Sequence, residues 1–267
     1  MQNKNLGKIS ISIVLAAILG TTNVYGVCSS DVDMGSNKIT SSAVPINQND
    51  LTNKLYVDGA MTTAFSLYSA ASDPAELVAA AAGYGVVTDA SGRVWLDRNL
   101  GASRVATSAT DSLAYGDLYQ WGRAADGHEK RDSATTTTQA NIPADLFIIG
   151  SNDWRVDANN TLWTGVDAVN NPCPFGFRIP TEAEFNVLLS AESITNLATG
   201  FASSLKLTAG GNRSLSGGTF SNVGSYGHYW TSYVNGARSR RLFISSGGAT
   251  LSISNRANGF SVRCVKD

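Results

Sequence analysis

The chain has 267 residues, enough for one large domain or for one medium domain with an appendage. Hydrophobic residues make up 43% and charged residues 15%, so a sizeable core can form. The formal net charge of -1 excludes the basic footprint that a nucleic-acid or acidic-membrane partner would require.

Taken in order, the first elements predict an exported protein. Lys4 and Lys8 precede an apolar run from Ile9 to Leu19, and Val24-Tyr25-Gly26 supplies a small-residue cleavage site, so residues 1–26 read as a signal peptide cut after Gly26. An uncleaved anchor is the alternative, although the run is short for a membrane span. Residues 27–84 then read as a stalk or linker. Asp33 to Thr40 and Asp50 to Asp58 (NKIT, then DLTNKLYVD) resemble the short repeat of phage tail-fibre and related trimeric stalk proteins. That resemblance implies a thin connector and a homotrimer. Leu51, Leu55, Met61, Phe65 and Tyr68 fit an apolar helical stripe that needs a partner, and packing on the following domain would serve equally. Asp73-Pro74-Ala75-Glu76 predicts a second short helix, with Asp73 as cap, Pro74 in the first turn and Gly83 as the stop.

From residue 85 to 267 the pattern changes. Val86-Val87-Thr88 and Val94-Trp95-Leu96 predict strands joined by the hairpin turn Asp89-Ala90-Ser91-Gly92. Tyr115, Leu118, Tyr119 and Gly122 fall at helical spacing. Thr181-Glu182-Ala183-Glu184 is a capping box ahead of Phe185, Leu188 and Leu189. Further strands are expected at 205–207, 229–233, 241–244 and 260–265. The expected class is α+β, with two helices around a small antiparallel sheet, after an N-terminal helical stalk. Trp95, Trp121, Trp163 and Trp230 are expected core anchors, and Asp97 and Arg98 a charge pair beside them. An exported chain favours pairing of cysteines, and Cys173 and Cys264 lie together in the dense C-terminal part, which leaves Cys28 odd. The resulting loop would constrain the unfolded chain by on the order of 4 kcal/mol.

The segments VWLDRNLG (94–101), YGDLYQWGR (115–123), NPCPFGFRIPT (171–181), YWTS (229–232) and NGFSVRCV (258–265) together resemble the Fibrobacter succinogenes major paralogous domain. That family belongs to the formylglycine-generating-enzyme-like branch of the C-type-lectin fold. The resemblance implies a C-type-lectin-like domain over 85–267 and places Cys173 near Cys264. Residues 238–260 further resemble the variable regions of diversity-generating retroelement target proteins, in which Asn codons become Ser, Gly, Thr, Ala or Ile. The resemblance implies a ligand-facing surface formed by Tyr226, His228, Tyr233, Asn235, Arg240, Ser245, Ser246, Thr250, Ser252, Ser254 and Asn255. An ordinary polar turn region is the bland reading of the same residues.

The expected function is therefore an exported, surface or periplasmic adhesion protein that binds a protein or glycan ligand, with no cofactor, no metal and no enzymatic activity. The alternatives are a phage-type receptor-binding tail component and a degenerate formylglycine-generating-type enzyme. Formylglycine-generating relatives use an active-site cysteine pair, whereas Cys173 and Cys264 read here as structural. No Glu-Pro-Asn or Gln-Pro-Asp triplet of calcium-dependent lectins occurs, and Asp153, Asp157 and Asn159 offer only a sparse oxygen set for calcium. His128 and His228 are the two histidines, and no G-x-S-x-G elbow accompanies them.

Overall fold

The structure is a computed structural model that describes residues 73–142, 145–236 and 238–267, together with the backbone of 32–34 and 37–39. The chain divides into two compact units, residues 1–83 and 84–267. In the first, β1 (Val32–Met34) pairs antiparallel with β2 (Asn37–Ile39), so Asn37, Lys38 and Ile39 form a strand. Helix α1 (Pro74–Ala81) begins where Asp73 accepts the Ala75 N–H at 2.9 Å. It ends at Gly83, whose φ of +84° suits a residue without Cβ. The signal-peptide and trimeric-stalk expectations, and Cys28, fall on residues outside those described.

The second unit is mainly β and corrects the α+β, C-type-lectin-like expectation. Across the described residues strand outweighs helix, 25% to 14%, and in this unit strand is spread over several small sheets, mostly antiparallel, instead of one sheet flanked by two helices. Strands β3 (Val86–Thr88) and β4 (Val94–Leu96) form the expected hairpin. They extend through β15 (Val265–Lys266) to β8 (Phe177–Arg178), in the order β3-β4-β15-β8. A second sheet runs β10-β9-β14-β5, from Phe220–Ser221, Asn212–Arg213, Gly259–Phe260 and Tyr119–Gln120. Thr135–Thr136 (β6) and Phe147–Ile148 (β7) form a small parallel pair. The third antiparallel sheet is β11 (Gly227–Asn235), β12 (Arg238–Ser245) and β13 (Gly248–Asn255).

The physical reason for the correction lies at 115–124. Gly116 and Gly122 sit at φ of +68° and +84°, which no α-helix admits, and Tyr119 pairs with Phe260 in a ladder. Tertiary pairing overrides the helical spacing there. Likewise Leu205 to Leu207 is a loop, with Lys206 at φ +48°, although both leucines are buried. The helices that remain in this unit are short: α2 (Glu182–Ala191), α3 (Leu197–Ala202) and a single 3-10 turn at Ser112–Ala114.

The core takes the indoles. Trp95, Trp121, Trp154, Trp163 and Trp230 are all fully buried. Each indole N–H has an acceptor: Trp95 donates to Asp89 Oδ2 at 2.8 Å, and Trp121, Trp154, Trp163 and Trp230 donate to main-chain carbonyls. Apolar bulk therefore carries no unpaired donor into the interior. One cluster joins Trp95, Phe185, Leu188, Leu205, Leu207, Tyr229, Leu242, Ile244 and Val265, so the 227–255 sheet is rooted in the centre of the unit by one face. Cys173 and Cys264 form a disulfide across 91 residues of chain. Asp97 and Arg98 are paired at 2.8 Å.

Glu184 locks the start of α2. Its carboxylate completes the capping box with Thr181 and accepts bonds from Arg178 and Arg93. Burial would push its pKa up, but the Arg178 guanidinium and the Thr181 N–H overcome burial and hold it at about 2, against 4.5 for a free group. A depressed carboxylate stabilises the fold above its unfolded pKa and stops doing so as the pH falls through the folded value. The wild type is therefore expected to lose stability on acidification from about pH 4.5 to about pH 2, and Glu184→Gln to show a flatter decline over that window. Urea midpoints across pH measure it. Trp95→Ala is expected to cost on the order of 3–5 kcal/mol in the same assay.

Candidate functional site

The 227–255 sheet owes its two faces to strand alternation. Tyr229, Leu242, Ile244, Ala249 and Leu251 point into the core. The register then fixes the opposite face. His228 lies across from Phe243, which lies across from Thr250; in the next row Trp230, Arg241 and Ser252 align. The β11 end of this face is roofed: Phe260 of β14 packs on Trp230 at 4.5 Å between ring centroids and stacks on His228 at 4.9 Å. Towards β13 the face opens, and Thr250 is exposed with Ser252 and Phe243 half-buried. Tyr226, 36% exposed, stands edge-on to Phe243 at 5.2 Å.

Arg241 sits at the centre of the open part. Its guanidinium lies over Phe260 and Phe243, 5.1 and 5.5 Å from the centroids, and donates to Ser252 Oγ. The buried Nε has no acceptor. Burial lowers the Arg241 pKa to about 10, and no carboxylate acts to restore it. His228 is 5% exposed, and neither ring nitrogen has a hydrogen-bond partner. Burial first, and the Arg241 charge second, hold it down at about 3, so it is neutral at physiological pH.

The eleven residues expected at the binding surface therefore separate. Tyr226, His228, Thr250, Ser252 and Ser254 gather on the open face or at its margin, Ser254 accepting a bond from Asn258 Nδ2 at 3.1 Å. Ser246 is exposed in the β12–β13 turn, and Ser245 is buried beside it, accepting the Gly247 N–H at 3.2 Å. Tyr233 and Arg240 lie elsewhere. Arg240 pairs with Glu182 and stacks over Tyr233 at 5.2 Å, and Tyr233 lines an open groove of about 500 Å³ with Thr181, Glu182, Ala183, Asn186 and Ser232. Asn255, at the far end of β13, is bonded to Asn152 at 2.8 Å. The backbone of Asn235 pairs with Arg238; its side chain is outside those described. Sequence reasoning missed Arg241 and Phe243. They fall within the strand expected at 241–244, and the period-two rule applied from His228 across the register puts them on this face.

The catalytic and metal alternatives meet engaged groups. The one cluster of three ligating groups found among the described residues is Asp126, His128 and Glu129. There His128 Nε2 accepts the Gln120 N–H at 3.0 Å, and Nδ1 bonds Asp126 at 2.5 Å, so both ring nitrogens are already used. Asp126 in turn accepts three bonds from Arg123, at 3.0, 3.0 and 2.9 Å, and Glu129 accepts the Gly127 N–H at 2.8 Å. Asp157 accepts from Asn141, Asn159 Oδ1 from Thr161, and Asp153 Oδ1 from the Arg155 N–H, so each of the three side chains already has a hydrogen-bond partner. Cys264 is fully buried in its disulfide.

Comparisons with known proteins return nothing: no family model matches the chain, and no curated protein and no solved structure matches it.

Both histidines are held neutral, since burial also lowers His128. A histidine with a depressed folded pKa destabilises the fold once the pH drops below the unfolded value. For His228 stability is expected to fall as the pH goes from about 6.5 towards about 3. NMR checks this directly: the His228 ring resonances should stay flat across about pH 5 to 8, where a free imidazole titrates.

Proposed function

We propose that this chain is an exported ligand-binding protein without catalytic activity, and that the open face of the β11–β13 sheet is its binding surface. One observation carries the reading. Tyr226, Phe243, Arg241, Thr250 and Ser252 present aromatic, cationic and hydroxyl groups side by side on a sheet whose other face is fixed in the core. A platform rigid before binding loses little conformational entropy on binding. Tyrosine and small hydroxyl residues supply contact area and adaptable hydrogen bonds.

Two further features support export and the absence of chemistry. The Cys173–Cys264 disulfide suits an oxidising compartment, in keeping with the signal-like residues 1–26. Among the described residues, His128 has both ring nitrogens bonded, His228 is neutral, and Cys173 and Cys264 are locked in that disulfide. The partner is a protein or glycan read by shape and hydrogen bonding. The face also suits diversification: the outward residues of β13, Thr250, Ser252 and Ser254, all belong to the set that adenine substitution makes from an Asn codon.

Thr250→Trp would block the face from an exposed position without touching the core. Screened against glycan and protein arrays, the wild type is expected to bind at least one ligand and the variant to lose it by tenfold or more, a loss of about 1.4 kcal/mol, with an unchanged melting curve. Binding that survives the substitution would sink the assignment. Sequencing the DNA beside the gene checks diversification: a near-copy of the 226–264 codons, differing only at adenines and next to a reverse transcriptase, is the expected find.

A further inference from the structure

We infer that Arg241 is an anion-recognition centre, and that the open face takes an acidic polysaccharide whose carboxylate docks on this guanidinium while a sugar ring lies against Tyr226. This deepens the proposed binding surface and rests on that reading.

The argument starts from what a buried cation normally needs. Five guanidinium N–H groups without acceptors carry a desolvation cost, and proteins ordinarily place a carboxylate or several carbonyls against them. The same chain shows the normal solution elsewhere. Arg123 is held by Asp126, Gln120 and the Leu146 carbonyl, and Arg178 by Glu184 and Asp267. Arg241 departs from it. Ser252 takes Nη1, the buried Nε is orphaned, and Nη2 makes no hydrogen bond among the described residues. Phe243 and Phe260 offset part of the cost through their ring faces, but they supply no acceptor.

A second, independent observation lies beside it. His228 is more than nine-tenths buried and packs among Phe260, Phe243 and Tyr226, and both its ring nitrogens lack partners. A neutral imidazole always has one N–H to give. Two adjacent polar side chains are thus under-satisfied; His228 is covered by Phe260, whereas Arg241 reaches the open part of the face, where an acceptor from outside can complete it. A carboxylate meets that need: it would take Nη2 directly and, after a small outward swing of the guanidinium, Nε in the forked geometry that arginine favours.

The surroundings select a sugar. Thr250 and Ser252 hydroxyls flank the cation at positions that can exchange bonds with ring hydroxyls. Tyr226 offers a partly exposed aromatic ring of the kind that packs on the apolar face of a pyranose.

Retention of the full chain by immobilised polymers tests this. The probes are polygalacturonate, dextran sulfate, poly-glutamate and neutral dextran, with wild type, Arg241→Gln, Arg241→Lys and Thr250→Trp. Polygalacturonate is expected to bind the wild type, to bind Arg241→Gln about tenfold more weakly, and to bind Arg241→Lys at an intermediate level because lysine cannot fork. Arg241→Gln should melt at or above the wild-type temperature, since it removes an unpaired buried cation; a purely structural arginine would lower it. Retention by dextran sulfate alone would assign a sulfated ligand and overturn the carboxylate. Equal, Arg241-dependent retention by poly-glutamate would overturn the sugar. No retention by any acidic polymer, or retention that ignores Arg241, would overturn the inference altogether. If a neutral ligand is blocked by Thr250→Trp and indifferent to Arg241→Gln, the binding surface stands and only the anion centre falls.

Discussion

Backbone pairing by residues 256–266 is the interaction on which the rest of the domain depends. The Arg256 carbonyl accepts the Trp121 N–H at 2.9 Å, and Gly259 and Phe260 pair with Gln120 and Tyr119. Ser261 then exchanges bonds with His228 and Trp230 on β11, at 3.0 and 3.1 Å. The Val262 and Cys264 carbonyls accept from Leu100 and Leu96, and Val265 lies between Trp95 and Arg178. One continuous segment thus joins the two four-stranded sheets and the edge of the third, and the Cys173–Cys264 disulfide fastens its far end. Small sheets, some of two-residue strands, are marginal alone; sharing one strand segment makes their formation cooperative.

The same segment separates two kinds of buried arginine. Burial lowers both Arg263 and Arg241 to about 10. Arg263 is satisfied, donating to Asn99 Oδ1 at 3.1 and 2.9 Å and to the Leu205 carbonyl at 2.7 Å. It ties the end of β4, the 205–207 loop and the C-terminal segment together, and its lowered pKa reflects structure alone. Arg241 bears a similar burden without those acceptors. A titration shift cannot tell these roles apart; the hydrogen-bond inventory can.

Much of the local structure was legible in the chain. The Asp89–Gly92 hairpin, the Thr181 capping box and the four tryptophans named as anchors depend on short-range chemistry or on bulk, and the structure has all of them. The fold class was not legible, for a physical reason. The spacing at 115–124 satisfies a helical template, and only Gly116 and Gly122 at positive φ, together with distant Phe260, make it strand and turn. Strands of two residues carry too few side chains for alternation to register, so the partition into several sheets is set by tertiary pairing. The candidate surface was half legible. Its composition marked Thr250, Ser252 and Ser254, but Arg240, in phase with Leu242 and Ile244, falls on the opposite face, and Tyr233 lines a separate groove where the irregular register between Trp230 and Val234 takes the end of β11 out of simple alternation.

The third sheet also explains how a surface can change without endangering the fold. β12 and β13 pair over eight consecutive residues each, and backbone hydrogen bonds hold that ladder whatever side chains project outward. Stability enters from the inward residues: Leu242 and Ile244 are fully buried, and Ala249 and Leu251 lean on them. Thr250, Ser252 and Ser254 alternate with these and contribute little to the core, so substitution there costs little stability. Arg241 and His228 do not share that freedom. They are wedged between Phe260 and Phe243, and any replacement must fit the same slot. A face built this way has a fixed aromatic and cationic centre with an adjustable hydroxyl margin. The chemical class of ligand would then be set by the centre, and its fine discrimination by β13.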